Sequence, residues 1–268
     1  MKHRDNPATD HEAARAIGIV PTGDLADRGE PGAYGRLGDV LDTLPSPVYC
    51  LAGNHDRQDA IRACLPRPNV HVEPAVHIGN RLMLFLDTNA NGRELGADGT
   101  YHDRDDRVHA AAQPALTPIE DDRARAILTA SRADHVFVQP HQPPLPRTAP
   151  NAKGEDFPTI RAIGAGHLHG ELSGEFEGRP VYVSPSSFYG IDYADMTLDG
   201  PGYRTYTLHP DGRVDTEPRT AVGPITEAVR GRPLPRHFTA LMTGEEIQAL
   251  SDTEFEERFG EARGARRA

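Results

Sequence analysis

Residues 16–34 read AIGIVPTGDLADRGEPGAY, and they set the alternation that the rest of the chain repeats. Ala16–Thr22 is a short apolar run, which predicts a buried strand closed by the turn pair Gly23-Asp24. Pro21 sits badly in such a strand, because proline donates nothing to a ladder. From Pro31 onward Tyr34, Leu37, Leu41 and Leu44 recur at three and four residues, the apolar stripe of a helix, until Pro45 and Pro47 stop it. Val48–Leu51 is a second short strand; it delivers Gly53-Asn54-His55-Asp56 and leads into a helix over Asp59–Leu65.

Outward from there the pattern continues. Val76–Asp87 predicts a hairpin turning at Gly79-Asn80 into the strand Arg81–Leu86. Asn89–Leu116 is long and polar with no period, and loops of that length in a compact domain are usually functional or mobile. Thr117-Pro118-Ile119-Glu120 marks a helix start: Thr117 as N-cap, Pro118 at the first helical position, Glu120 closing a capping box, and a helix running to Ser131. His135–Val138 is a strand ending at Pro140-His141, and Thr159–Ala165 another ending at Gly166-His167. Beyond it Leu172–Phe176, Val181–Ser184 and Arg204–His209 are short strands with Gly or Pro between them, as in an antiparallel sheet. Residues 218–240 are rich in Pro and Arg without a period. Thr243–Arg263 restarts as a helix whose stripe (Ile247, Leu250, Phe255, Phe259) is thin. The expected division is a domain over 1–220 and a C-terminal extension, 221–268, that packs weakly or serves as an oligomer contact; residues 1–15 are polar and read as a solvated tail.

Composition narrows the function classes. At 268 residues the chain is one large domain, or one with an appendage. Its 29 Lys and Arg against 40 Asp and Glu give a net charge of −11, the wrong sign for a general nucleic-acid binder, which needs a basic face to displace counterions. The longest apolar run, Leu82–Leu86, is far below the ~20 residues that span a bilayer. Cys50 and Cys64 are too few for a disulfide framework or a thiolate metal cage and read as small hydrophobes in a reducing compartment. The N-terminus has no apolar core of a secretory signal, so cytoplasm is the expected location.

The chemistry lies where strands end. Gly23-Asp24, Gly53-Asn54-His55-Asp56, His141-Gln142-Pro143 and Gly166-His167-Leu168-His169 each place hard or borderline metal ligands directly after a strand. In an open α/β sheet the carboxyl ends of strands are where ligands bind, so residues distant in sequence converge there. Carboxylate, amide oxygen and imidazole suit Mn, Fe or Zn. In an extended His167-Leu168-His169 the two histidines would share a face. Taken singly each piece has a plain structural reading: a turn pair, Asn54 and Asp56 holding their own backbone, a satisfied core histidine. The conjunction of the four, in this order, is what points to a metal centre. A carboxylate there can bridge two cations.

These four motifs, Gly23-Asp24-Leu25-Ala26-Asp27, Gly53-Asn54-His55-Asp56, His141-Gln142-Pro143-Pro144 and Gly166-His167-Leu168-His169, resemble the calcineurin-like metallophosphoesterase superfamily. Thr22–Tyr34 is similar to its bacterial class III cyclic-nucleotide phosphodiesterase and glycerophosphodiesterase branch. The resemblance, over about residues 17–215, implies a four-layer α/β/β/α sandwich and a two-metal phosphoesterase acting on a small-molecule phosphodiester such as a 3',5'-cyclic nucleotide. It further implies that Asp24 bridges both metals, that Asn54, His141 and His167 complete one, that His169 serves the other, and that His55 stabilises or protonates the departing oxygen. Metal identity among Mn, Fe and Zn stays open, as does assembly into a homo-oligomer.

One departure bears on the second metal. The family opens with an Asp-x-His motif at the end of its first strand, whereas the 23 residues before Asp24 offer only Asp10-His11 and His3-Arg4-Asp5. As written the chain is expected to lack that first strand and two ligands of the His169 metal, leaving one tight and one weak position, and the departure reads either as a true start lying upstream or as a degenerate second site. The alternative function is a degenerate relative retained for binding or regulation. Among weaker candidates, Tyr101–Asp106 would overhang the site or be a solvent loop. Phe188 and Tyr189 would stack on a base or, more commonly for such rings, pack in the core. His135, His209 and His237 have no assigned partner.

Overall fold

The structure, a computed structural model, describes residues 16–105, 108, 111, 114–144, 157–195 and 197–234. Its elements are α1 (Pro31–Leu41), β1 (Val48–Tyr49), α2 (Gln58–Cys64), β2 (Val70–His71), β3 (Ala75–Ile78), β4 (Arg81–Leu86), β5 (Arg93–Leu95), β6 (Tyr101–Asp103), α3 (Pro118–Ala130), β7 (His135–Pro140), β8 (Ile160–Ala165), β9 (Leu172–Phe176), β10 (Arg179–Val183), β11 (Gly190–Asp192), β12 (Thr197–Asp199), β13 (Gly202–Leu208), β14 (Val214–Thr220) and α4 (Pro224–Val229). No helix among the described residues is long and apolar enough to cross a membrane.

A six-stranded sheet ordered β3-β4-β7-β8-β10-β9 forms the centre. β4, β7, β8 and β10 run parallel, and the antiparallel strands β3 and β9 close its two edges. The parallel strands are buried on both faces, so they read as continuous apolar runs rather than as alternating ones. The pleat still sorts them. Leu82, Leu84, Val136, Val138, Ile163 and Val181 point to α3, where they meet Ala124, Ile127 and Leu128. Met83, Phe85, Phe137 and Ala162, one residue out of phase, point the other way and meet Val20, Tyr49, Tyr206, Leu208 and Val214. On the far side of β1 and β2 a third cluster packs Tyr34, Ile61 and Leu65 of the α1–α2 region against Val48 and Val70. The layers are therefore helix, sheet, sheet, helix, as the motif resemblance implies.

Several elements differ from the sequence reading. Residues 16–22 are extended but pair with the sheet only through Ile19, whose N–H donates to the Pro47 carbonyl (2.8 Å) and whose carbonyl accepts from Tyr49 N–H (2.9 Å). Pro21 accounts for the interruption, since it has no donor to extend the ladder. Half of the capping box is present: Thr117 Oγ1 accepts from Glu120 N–H (3.1 Å), but the Glu120 carboxylate accepts from Asp87 N–H (2.9 Å) and pairs with Arg123 instead of returning to the cap. The late strands are not all antiparallel: β10 joins β8 in parallel and brings its antiparallel partner β9 into the central sheet, whereas β13 pairs antiparallel with β14 outside it. The β13–β14 hairpin includes the unanticipated strand Val214–Thr220, in which Pro218 lies opposite Arg204. The long polar stretch is organised by Arg93, which pairs with Asp87, Asp103 (3.5 Å) and Gln58 and so folds β5 and β6 onto the body.

Residues 221–234 lie against β12. Leu198 N–H donates to Arg232 O (2.8 Å), Gly231 N–H returns to Leu198 O (2.9 Å), and Thr226 is buried. The expected helix Thr243–Arg263, His237 and the tail 1–15 lie outside the described residues. His135 and His209 have partners after all: the first meets the Pro210 carbonyl (2.9 Å), the second the Asp215 carboxylate (2.8 Å).

Phe137 joins the inter-sheet cluster to the β13–β14 hairpin, its ring edge-on to Tyr206 at 4.9 Å, and it is buried. Phe137→Ala is expected to lower unfolding free energy by about 3–5 kcal/mol, measured by urea denaturation, because the hairpin cannot close over the cavity.

Candidate metal centre

The centre is built from the loops that follow four extended segments. Residues 22–24 follow the Ile19 segment, 53–56 follow β1, 141–142 follow β7 and 166–169 follow β8. Their backbones are tied to one another. Gly166 N–H donates to the His141 carbonyl (2.9 Å), and the His141 imidazole Nδ1–H donates to the Thr22 carbonyl (2.6 Å). Asp56 Oδ2 accepts from Leu25 N–H (3.0 Å) and Gly53 N–H (2.9 Å), and Oδ1 accepts from Ala26 N–H (3.0 Å) and the Tyr34 hydroxyl (2.9 Å). Asp56 thus exceeds the role of a turn residue holding its own backbone: it fastens the Asp24 loop to the Asn54 loop. Burial pushes its carboxyl above the usual value while these donors pull it back.

The two loops approach so closely that only glycine fits between them. A Cβ on Gly53 would lie 2.1 Å from Asp24 Oδ1, and one on Gly23 would lie 2.5 Å from His141 Nδ1; Gly23 also has φ +98°. Asp24, His167 and His169 themselves have φ of 55°, 68° and 57°. Only Glu177, in the turn between β9 and β10, joins them among the described non-glycine residues. Left-handed backbone of this kind costs about 1–3 kcal/mol per residue and persists where the surroundings impose it, typically at functional sites. The histidine pair is therefore placed by a tight turn and not by an extended strand, which corrects the reading that the two share a pleat face. Tyr193 holds that turn with its hydroxyl on the Leu168 carbonyl (2.7 Å).

Four donor atoms converge. His141 Nε2 lies 3.2 Å from Asp24 Oδ2, 3.1 Å from Asn54 Oδ1 and 3.2 Å from His167 Nδ1. The Asn54 amide is oriented by Nδ2–H donating to the Val108 carbonyl (2.8 Å), which turns Oδ1 inward and brings the long polar stretch against the site. With Nδ1–H of His141 committed to Thr22, its Nε2 faces Asp24; burial lowers the pKa of this imidazole, but the Asp24 charge and hydrogen bond outweigh it and raise it, so Nε2 shares a proton with Asp24 that a cation would replace. The ligand-type atoms of Asp24, Asn54, His141 and His167 thus face one point, where a cation can take the place of the protons they share. His169 Nδ1 is buried and has no hydrogen-bond partner among the described residues, and burial pushes this imidazole down to about 4, so it is neutral with a lone pair to offer. The Asp24 carboxyl is raised by burial, but the His141 and His55 charges and hydrogen bonds outweigh this and hold it below the ordinary carboxylate range. Burial and the nearby Asp56 push the Cys50 thiol up to about 12, and Cys50 is not in the compact ligand group. The donor set of one carboxylate, one amide oxygen and imidazoles fits Mn, Fe or Zn.

Of the residues read from the sequence, Asp24, His141 and His167 form one compact group and Asn54 joins it through Oδ1. His169 lines the same cleft but stands outside that group. His55 stands at the rim; its backbone N–H donates to Asp24 Oδ1 (3.0 Å), and its Nδ1 meets the Asp27 carbonyl (3.0 Å). The sequence reading missed Gln142, fully buried behind His141, whose Nε2–H groups donate to Asn89 Oδ1 (2.8 Å) and Ala111 O (2.6 Å) while its Oε1 accepts from Thr88. Its position directly after a candidate ligand was the only signal. The centre lines a cleft of about 2070 Å³ whose lining also includes the inter-sheet residues Ile19, Met83, Phe85, Phe137 and Leu208.

The fold and this donor set are those of a metal-dependent phosphoesterase. The calcineurin-like phosphoesterase family model matches residues 12–171, more than half of the chain, and the chain belongs to that family and is a hydrolase. The chain is 27% identical over 216 residues to the 3',5'-cyclic adenosine monophosphate phosphodiesterase CpdA of Escherichia coli K12, covering 74% of this chain and 72% of that protein. It is 26% identical over 215 residues to CpdA of Pseudomonas aeruginosa (74% and 72%). A cAMP/cGMP dual specificity phosphodiesterase of Mycobacterium tuberculosis is 29% identical over 212 residues, covering 71% of this chain and 59% of that protein. Among solved structures, a putative 5'-nucleotidase from Staphylococcus aureus is a loose likeness, with a TM-score of 0.40 at 15% identity over 85% of this chain and 47% of that one.

Replacing Asp56 by Asn puts an amide N–H₂ where two of the four acceptor contacts lie, opposing donor to donor. Asp56→Asn is expected to weaken Mn²⁺ binding by about 10–100-fold, measured by calorimetric titration, although Asp56 itself is not among the converging atoms.

Proposed function

We propose that the chain is a phosphodiesterase whose substrate is a 3',5'-cyclic nucleotide, with two metal ions in the cleft, one held tightly and one weakly. The observation that carries this reading is the convergence of Asp24 Oδ2, Asn54 Oδ1 and His167 Nδ1 on His141 Nε2, with the His169 lone pair buried beside them. Among the described residues, Asp24, Asn54, His141 and His167 would hold the tight ion, and Asp24 and His169 would hold the weak one, fewer than the three protein ligands usual for a catalytic metal. When bound, the ions supply charge that neutralises the phosphate and make water a nucleophile near neutral pH.

The protein's own contributions follow from the geometry. The Thr22 carbonyl fixes the His141 tautomer, and Val108 fixes the Asn54 rotamer, so the donors are aimed before anything binds. His55 anchors Nδ1 on the Asp27 carbonyl, which turns Nε2 away from that loop and presents it to a phosphoryl oxygen. In this role Nε2–H stabilises charge on the departing 3' oxygen and transfers its proton to it. The net charge of −11 does not repel the anionic substrate from a centre whose local charge is set by the ions. The relatives named for cyclic AMP hydrolysis support a cyclic nucleotide over other diesters.

The test is turnover of cyclic AMP and of bis(p-nitrophenyl) phosphate by Mn²⁺-supplemented protein, with metal analysis alongside. The expectation is one tight equivalent and activity that rises steeply with millimolar Mn²⁺; two tight equivalents would contradict the unequal sites. Asn54→Ala is expected to remove the tight metal. His55→Ala is expected to keep metal content and lower kcat by about 10²–10⁴-fold, as for loss of a positioned acid.

A further inference from the structure

Among the described residues, Phe188 is the most exposed of the large hydrophobics, with 76% of its surface open to solvent. A single exposed apolar ring is ordinary on a protein surface and by itself says nothing. Its position is the informative part. The neighbouring Tyr189 ring packs on the His169 ring at 4.6 Å, and the Phe188 ring stands edge-on to Tyr189 at 5.3 Å. His169, Tyr189 and Phe188 thus form a row of three rings running outward from the metal centre, and all three line the same cleft.

The backbone beneath them is fixed. Ser186 accepts Phe188 N–H on its hydroxyl (3.1 Å) and Gly202 N–H on its carbonyl (2.7 Å), and β11 begins directly after Tyr189, paired with β12. A ring left in water contributes no burial to folding. A flat apolar ligand face would bury it. In a cyclic nucleotide the phosphate is fused to the ribose, so the base lies one bicyclic unit away from phosphorus. The ring centroids step outward from His169 by 4.6 and 5.3 Å, so a base carried away from a phosphorus at the metal centre has this row beside it.

We propose that Phe188, seated on Tyr189, is the platform on which the nucleobase of the substrate stacks. This rests on the cyclic-nucleotide reading and adds the specificity element to it. Stacking uses the π-face that every base has and reads no hydrogen-bonding edge, so the platform accepts adenine and guanine alike. Phe188 selects for a diester that carries a base over one that does not, without choosing between bases: it supplies affinity for the base and has no part in the chemistry at phosphorus.

The experiment uses the full chain with saturating Mn²⁺, and measures KM and kcat for cyclic AMP and cyclic GMP together with Ki for inorganic phosphate, which has no base. Removing an exposed ring opens no buried cavity, so F188A is expected to fold normally. F188A should raise KM for both cyclic nucleotides by roughly 10- to 100-fold, the range reported by alanine substitution at base-stacking aromatics. It should leave kcat and the phosphate Ki nearly unchanged, and F188W should restore KM. If the chain hydrolyses cyclic nucleotides and F188A leaves KM unchanged, or shifts KM and the phosphate Ki together, the platform is wrong and the activity stands. If wild-type protein hydrolyses glycerophosphoethanolamine but neither cyclic nucleotide, the substrate reading falls and the platform falls with it.

Discussion

The carboxylate of Asp56 carries the geometry of the site. Leu25, Ala26, Gly53 and Tyr34 all donate to it in a buried environment, and no water is needed to satisfy any of these groups. Two loops from different segments are thereby pressed together until Gly53 touches the Asp24 carboxylate, a contact no side chain survives. The left-handed backbone at Asp24 is one cost of that approach, about 1–3 kcal/mol, and the charge-assisted bonds to Asp56, at about 1.5–3 kcal/mol each, offset it. Asp24 is held where it is by a residue that never meets the substrate.

The same logic governs the imidazoles. A neutral histidine has one N–H, and which nitrogen carries it decides whether the other can bind a cation. At His141 the choice is made by the Thr22 carbonyl, which lies two residues before Asp24. The loop that supplies the carboxylate therefore also sets the tautomer of the histidine facing it. Behind His141, Gln142 bridges Thr88, Asn89 and Ala111, so the loop after β7 is fixed from the rear by neutral hydrogen bonds that do not compete for the cation. The result is a set of aligned ligand-type atoms inside a protein of net charge −11.

Much of this was legible in the sequence, and the gaps have physical causes. Strand ends were readable because apolar runs stop at Gly-Asp, Gly-Asn, Pro-His and Gly-His; all four runs do deliver loops to one place. The helix at Pro118 was readable because capping is local chemistry, yet the second half of its box was not, since Asp87 N–H lies 33 residues away and takes the Glu120 carboxylate first. Tertiary partners override local pairing in this way without any trace in spacing. The Asp56 clamp escaped for the same reason, its donors being 22 to 31 residues distant apart from Gly53. The His167–His169 turn was misjudged because side-chain alternation presumes extended backbone, and positive φ at non-glycine residues has no sequence mark. β14 was missed because Pro218 and alternating charges hid a strand that pairs along one edge only.

The fold thus divides the work between two kinds of backbone. The donors that face the cation sit at the ends of segments anchored in buried sheet, where a displacement of the loop would drag the pleat with it. The residues around them that face outward, Asp27, Val108 and the Ser186–Tyr189 turn, belong to loops and to the short antiparallel pairs that surround the central sheet. Rigid elements hold the reacting groups to a fraction of an ångström, while loops tolerate exchange of side chains without repacking a core. The candidate ligands are consequently set by the buried half, while the side chains of the rim can change without repacking it, provided that the backbone carbonyls of Asp27 and Val108 keep their bonds to His55 and Asn54.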